Sequence, residues 1–308
     1  MLLTVIIIVY RPAESFFINI SRFLKENSGD SELIIVDNCP EAKTAEYIKS
    51  DYPQVGLIQN NTNRGFSFAV NQGVNKATGE YILVLNDDII IQGGFFQILK
   101  EKIKDLPQNI GIIAPKILQF DGKTIDSTGL VLTKMRRFYD RGRGKLDKGQ
   151  FDANPDVFGA SACAVLYRRK ALESIRYGKE YFDEDFFCIA EDVDLSWRLQ
   201  KEGWKALYFP KAVCLHEGGI SRKKSRITQY FSMRNRCLMV IKNESFLGFL
   251  RFPIIFLCYD LWRNICMLIL NPRYFFKAFS DIVRLLPKMI KKRNGSGISD
   301  KLHEAITL

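Results

Sequence analysis

A chain of 308 residues, 47% hydrophobic and 26% charged, can bury one large α/β core plus an appendage, and its composition excludes a disordered or fibrous protein. Its net charge of +11 is confined to one end: residues 1–216 carry 28 basic and 28 acidic side chains, and the last 92 positions carry 17 and 6. Seven cysteines, odd in number and never in a C-x-x-C pair, argue against a disulfide framework or zinc knuckle and fit reduced thiols in a cytosolic setting.

The first apolar run, Leu2 to Tyr10, lacks the basic start and cleavage site of a signal sequence and is too short to span a bilayer, so it reads as a strand. Arg11-Pro12 ends it, and the spacing of Phe16, Ile20 and Phe23 predicts a helix. A second strand, Glu32 to Asp37, precedes a helical segment beginning near Glu41. A third strand, Val55 to Gln59, leads through a polar turn, Asn60 to Gly65, into a helix carrying Phe66, Ala69, Val70 and Val74. The next strand, Tyr81 to Leu85, is continuously apolar, as a strand buried on both faces must be, and stops on Asn86-Asp87-Asp88. Strands alternating with helices in this way predict a doubly wound, mostly parallel sheet with helices on both faces. Ligands collect at the carboxyl ends of such strands. Two adjacent carboxylates there call for a cation, and Mg²⁺ or Mn²⁺ carrying a phosphate supplies one. Neither G-x-G-x-x-G after the first strand nor G-x-x-x-x-G-K-[ST] occurs, which weighs against a nicotinamide dinucleotide or P-loop chemistry.

Farther along, the pattern predicts a helix over 95–106 and short strands near 111–114 and 117–120. The basic, Gly-rich stretch Arg136 to Lys145 has no apolar period and reads as a solvated loop or a lid. A run of small residues, Gly159 to Ala164, suits either close approach to a ligand or tight packing. Glu191-Asp192 stands at the first turn of a helix, where carboxylates favour the dipole and where a general base is well placed. A short strand from Trp204 to Pro210 precedes Val213 to His216, which ends in one of only two histidines, a candidate metal ligand at a strand end.

Taken together, Val9-Tyr10-Arg11, Val36-Asp37-Asn38, Asn63-Arg64-Gly65-Phe66 with Asn71, Leu85-Asn86-Asp87-Asp88, Gly159-Ala160, Glu191 to Arg198, His216, and Tyr230 with Arg234-Asn235 resemble the inverting family-2 glycosyltransferases of the GT-A fold, especially a rhamnosyltransferase-like branch. The resemblance covers residues 3–243 and implies a metal-dependent transfer of a sugar from a nucleoside-diphosphate donor to a saccharide acceptor. By it, Asp192 is the base and Glu191 orients the site. Tyr10, Arg11, Asp37, Asn38, Arg64, Asn71, Asn86 and Asp87 lie around the nucleotide sugar, and Asp88 and His216 hold Mg²⁺ or Mn²⁺. The D-x-D pattern of the family begins here on Asn86 instead of an acid. The resemblance also implies dTDP-rhamnose as donor, bacterial cell-surface polysaccharide as product and residues 1–220 as the catalytic domain.

Beyond 220 the sequence turns basic and amphipathic. Phe246 to Leu270 is apolar but broken by Arg251, Asp260 and Arg263, and 272–293 mixes apolar and basic residues as interfacial helices do. Residues 221–294 are therefore expected to form helices on an anionic membrane surface, which places the protein peripherally on the cytoplasmic face and suggests a lipid-linked acceptor. Packing on the catalytic body or in a homo-oligomer is the alternative. Residues 295–308 are expected to be a disordered tail. Two rival readings are a sugar nucleotidyltransferase, for which no Gly-rich, Arg-containing loop follows the first strand, and a basic nucleic-acid-binding module. The neutral body and the lack of a nucleic-acid motif favour no nucleic-acid partner.

Overall fold

The computed structural model describes residues 2–12, 14–27, 29–39, 44–218, 225–245, 254 and 260–294. The expected helix start near Glu41, the Arg222-Lys223-Lys224 cluster, most of the apolar run 246–259 and the tail 295–308 lie outside these residues. The chain begins β1 (Leu3–Val9), α1 (Glu14–Glu26), β2 (Ser31–Asp37), α2 (Thr44–Asp51), β3 (Gly56–Gln59), α3 (Phe66–Lys76) and β4 (Tyr81–Asn86). There follow β5 (Ile89–Ile91), α4 (Phe95–Lys104), β6 (Ile110–Gln119), β7 (Ile125–Ser127), β8 (Leu130–Leu132) and β9 (Phe138–Asp140). Next come β10 (Asp156–Val157), β11 (Ala164–Arg168), α5 (Arg169–Ser174), α6 (Glu191–Lys201) and β12 (Lys205–His216). The C-terminal helices are α7 (Arg226–Asn243), α8 (Leu261–Leu270) and α9 (Pro272–Asn294).

The main sheet runs β10-β12-β6-β11-β4-β1-β2-β3, with β5 beside β12 and β7 beside β6. Strands β4, β1, β2 and β3 are parallel, as is the pair β6–β12, while β11 is antiparallel to both its neighbours. Alternation along β1 shows why the strand is apolar throughout. Leu3, Val5, Ile7 and Val9 enter a core with Phe16, Ile20 and Phe23 of α1 and Phe95 and Leu99 of α4. Ile6 and Ile8 enter the opposite core with Val70 and Val74 of α3 and Leu195 and Leu199 of α6. Side chains alternate across a strand, so both faces demand hydrocarbon.

Two expectations need correcting. The paired short strands at 111–120 and at 204–216 are each one long strand: β6 runs through Pro115, and β12 runs through Pro210 with a register shift between Phe209 and Val213. The stretch 136–145 is no bare loop, since β9 pairs with β8. Arg141 there bonds Thr128 and the carbonyl of Asn154, with its guanidinium near the rings of Tyr208 and Phe151.

The end of the chain packs on the catalytic body. Helix α9 lies along α7, burying Ala278 and Met289. Lys292, 4% exposed, reaches Asp183 (2.5 Å), Glu180 (2.8 Å) and Asp185 (3.0 Å), and Lys288 reaches Asp185 at 2.8 Å. Asp183 also pairs with Lys242 of α7, which bonds Asp194 of α6 at 2.9 Å. Some of the charge expected to face lipid is therefore spent inside the protein. Burial works against the charge of Asp183, but Lys242 and Lys292 outweigh it and hold its carboxyl well below the ordinary range. A depressed carboxylate lends stability that is present above about pH 4, where an unfolded Asp is ionised, and is lost as the pH falls toward the folded value. Urea midpoints measured from pH 7 to pH 3 are therefore expected to fall more steeply in the wild type than in Lys292→Met, which at pH 7 should lose about 3 kcal/mol because buried carboxylates are left uncompensated.

Candidate active site

Parallel register brings the expected residues to one sheet edge. Val9 stands opposite Asp37 and Ile8 opposite Asn86, so Tyr10, Asp37 and Asn86 leave adjacent strands at the same end. The antiparallel β11 starts at that edge, with Ala164 opposite Leu85, and the amide of Asn86 bonds the carbonyl of Cys163. His216 closes β12 opposite Ile89 of β5.

The centre is a chain of acids around one imidazole. His216 Nε2 is 3.2 Å from Asp88 Oδ2 and its Nδ1 is 2.7 Å from Asp126 Oδ2. Burial opposes the charged ring, but the hydrogen bonds to Asp126 and Asp88 prevail and lift its pKa to about 9. Asp140, buried and raised chiefly by desolvation, feels Arg143, Asp126 and His216. Asp192 in turn is raised by burial and then by the charge of Asp140. Sequence reasoning missed Asp126 and Asp140: each sits in a short polar stretch with no motif, and only the pairing of β7 with β6 and of β9 with β8 brings them to the imidazole.

Asp192 is held by its surroundings. Its Oδ2 accepts the amide of Ala162 at 3.2 Å and its Oδ1 that of Val193 at 2.8 Å. The small-residue run explains how α6 comes so near, for a Cβ on Gly159 would fall 2.1 Å from Ser196 Oγ. Glu191 is buried, its carboxyl is pushed up by burial and by Asp192, and its Oε2 has no hydrogen-bond partner among the described residues. Phe187, Ile189 and Ala190, directly before it, all have positive φ, a conformation costly for residues with side chains. A clamp from α7 supports them. Asn235 Nδ2 lies 2.9, 2.7 and 2.7 Å from the carbonyls of Phe186, Cys188 and Ile189, while Arg234 bonds those of Asp185 and Phe186. Arg234 Nε also donates to Asn235 Oδ1 at 2.8 Å and so fixes which end of the amide faces the carbonyls.

The donor-side residues divide into two kinds. Asp37 is fully buried, accepts the amide of Cys39 and feels that of Ala45, and has a pKa raised by burial. Asn86 has a buried Oδ1 without a hydrogen-bond partner among the described residues. Tyr10 is exposed, and Arg64 is exposed with its guanidinium 3.6 Å over the ring of Phe68. Tyr10 and Arg64 thus stand open at the strand end, while Asp37 and the Oδ1 of Asn86 are buried beneath it. Asp87 is instead tied to the amides of Tyr10 and Arg11 at 2.8 and 3.0 Å, so it shapes the β1 exit, and burial raises its pKa to about 6. Asn71 makes all four bonds an amide allows, to Phe182 O, Glu184 Oε1 and the amides of Tyr181 and Phe182. Asn38 is spent the same way on Asn60, Asn63, Arg64 and Gly65. Both fasten loops.

Among the described residues no group of three or more His, Cys, Asp or Glu is arranged to hold a metal by protein ligands alone. Asp88 and His216 nevertheless form a suitable pair. The Asp126 carboxylate on Nδ1 orients the ring with Nε2 toward Asp88, as second carboxylates do for metal-binding histidines. A hard cation held by two protein groups would complete its shell with phosphate and water oxygens.

The family model of glycosyl transferase family 2 matches residues 4–176. The chain belongs to that family. Family-2 members similar to it include an N-acetylglucosaminyl-diphospho-decaprenol L-rhamnosyltransferase of Mycobacterium tuberculosis, 26% identical over 240 residues, which are 70% of this chain and 75% of the relative. A poly-beta-1,6-N-acetyl-D-glucosamine synthase of Staphylococcus aureus is 26% identical over 69% of this chain, which spans only 49% of the synthase. Among solved structures, S. aureus TarS 1-349 in complex with UDP-GlcNAc matches with a TM-score of 0.58 at 14% identity, covering 95% of this chain and 84% of that one. The mannosyltransferase PcManGT from Pyrobaculum calidifontis, in complex with GDP-Man and Mn2+, matches with a TM-score of 0.53 at 13% identity over 92% and 75%. This family-2 chain is a nucleotide-sugar-dependent glycosyltransferase with a GT-A-like fold.

Proposed function

We propose that the protein transfers L-rhamnose from dTDP-rhamnose, with inversion, to a lipid-linked saccharide in the synthesis of a bacterial cell-surface polysaccharide. The observation that carries the chemistry is Asp192, a carboxylate of raised pKa fixed by two backbone amides at the sheet edge where Asp88 meets His216. The donor and acceptor classes rest on the rhamnosyltransferase relative, which aligns over 75% of its own length.

In this mechanism the acceptor hydroxyl gives its proton to Asp192 as its oxygen attacks the anomeric carbon from the face opposite the departing diphosphate. A raised pKa brings the carboxylate closer to the basicity such a transfer needs. Asp37 accepts an N–H of the nucleotide base, and Arg64 lies at the nucleotide edge as a cation for the diphosphate. Asp88 and His216 would hold Mg²⁺ or Mn²⁺, which supplies Lewis-acid stabilisation of the leaving diphosphate. Glu191, kept from ionising by burial and by Asp192, orients the acceptor side.

Nucleotide sugars are to be screened by thermal unfolding with and without Mn²⁺. A ligand at a hundred times its dissociation constant adds about 2.7 kcal/mol to the native state. The expected result is metal-dependent protection by dTDP-rhamnose above that by UDP-GlcNAc, the nucleotide sugar in the TarS complex. Greater protection by UDP-GlcNAc would replace rhamnose with N-acetylglucosamine. Formation of a new nucleotide sugar from a sugar phosphate would instead mark a nucleotidyltransferase.

A further inference from the structure

The outer side of the last helices combines hydrocarbon and positive charge in two parallel lines. Phe276, Phe279, Val283, Leu286 and Ile290 of α9 are large apolar side chains left exposed, and their alternating spacing of three and four residues places them on one stripe. Helix α8 extends the apolar surface with Trp262, 72% exposed, and Leu270, 73% exposed. One residue after every other member of the stripe stands an exposed base: Lys277, Arg284 and Lys291, seven residues and about 10 Å apart along the axis. Asp281 is the one acidic residue in the sequence of either helix; it accepts from the Tyr230 hydroxyl at 2.5 Å and from Arg284 at 2.6 Å, which leaves the outer face with a net positive charge. The opposite side of α9 is the one occupied by α7 and by the carboxylates around Lys292.

We propose that this outer face of α8 and α9 docks in the plane of an anionic lipid bilayer, with the apolar stripe among the acyl chains and Lys277, Arg284 and Lys291 at the level of the phosphates. No helix among the described residues is long and apolar enough to cross a membrane, so the segment lies on its surface. Charge decides between the occupants of the stripe. A second copy would set one line of bases beside another of the same sign, whereas an anionic bilayer meets both lines at once. The inference is independent of which sugar the enzyme transfers, and its test needs no donor.

The full chain is to be floated with vesicles of phosphatidylcholine alone and with vesicles containing phosphatidylglycerol. Binding to the anionic vesicles, weakened by high salt, is expected, together with a blue shift of the emission lost in Trp262→Phe. Each base near an anionic surface contributes about 1 kcal/mol, so the triple variant Lys277→Gln, Arg284→Gln, Lys291→Gln should partition about a hundredfold less. Phe279→Ser with Val283→Ser should abolish flotation, and an unchanged thermal midpoint in both variants confirms that the fold is kept. Failure of the wild type to float with anionic vesicles, or equal flotation of the triple variant, overturns the proposal. So does a wild-type dimer in sedimentation that becomes a monomer in the serine variant while vesicles have no effect, which would assign the stripe to a second copy.

Discussion

Asp192→Asn is expected to lower turnover by at least about a hundredfold while leaving the binding of a nucleoside-diphosphate sugar within about twofold of wild type. The amide keeps the shape of the carboxylate, and its one oxygen can keep the bond from either Ala162 or Val193 while its NH2 stands at the other, but it cannot take the acceptor's proton. Binding is to be followed by calorimetry and turnover by release of nucleoside diphosphate. A second reading comes from pH. The pKa of Asp192 is raised by burial and then by Asp140, so the acid limb of kcat/KM should lie above the range of an exposed Asp, with activity falling as the pH drops through that limb. Asp140→Asn removes the neighbouring charge and should move the limb to lower pH. Near-normal turnover in Asp192→Asn would take this residue out of the mechanism.

Asn235→Ala is expected to cost stability and turnover together, without removing any group that touches substrate. Its amide is shared among three carbonyls in the segment 186–189, a buried one of Phe186, which Arg234 also bonds, and partly buried ones of Cys188 and Ile189, and a buried carbonyl left unsatisfied costs about 1 to 3 kcal/mol. One of the residues it reaches, Ile189, has positive φ, as do Phe187 between its contacts and Ala190 after them, and this strained backbone leads into the first turn of α6. With the clamp gone, the relaxed backbone no longer sets Glu191 and Asp192 in place. We expect the urea midpoint to drop by an amount worth about 2 to 4 kcal/mol and kcat to fall at least about tenfold at temperatures where the variant is still folded, with a smaller change in KM. A variant that is less stable but keeps the wild-type kcat would make Asn235 purely structural.

The strands were legible in the sequence because parallel strands between two helical layers cannot hide their composition. Tyr81 to Leu85 and Leu3 to Val9 announce themselves without any knowledge of their neighbours. The breaks were less legible. Pro115-Lys116 looks like an interruption, yet Lys116 stays inside β6 because Asp147 and Asp152, some thirty residues later, neutralise it at 2.9 and 3.2 Å. The basic stretch 136–145 looks solvated until Tyr208 and Phe151 supply rings for Arg141. At the site, residues that sit at strand ends or at a helix start could be found from pattern: Asp37, Asp88, Asp192, His216. Partners that arrive by tertiary folding could not, which is why Asp126 beside His216 and the reach of Asn235 under the Glu191 turn appear only in three dimensions. Asn38 and Asn71 were legible as special positions but not as loop fasteners, since a sequence shows an amide without showing what saturates it.

The salt-bridged underside of α9 bears on how the molecule can be divided. Glu180, Asp183 and Asp185 lie in the connection just before α6, and the lysine that gathers all three comes from the other end of the chain. Ending the polypeptide at residue 220 would strand those acids next to the catalytic helix and uncover the hydrocarbon under Met289, so the shortened piece should be produced insoluble or in a loosened state. Exchange of this terminal helix between relatives would then need its lysine and the three acids to travel as one inherited block.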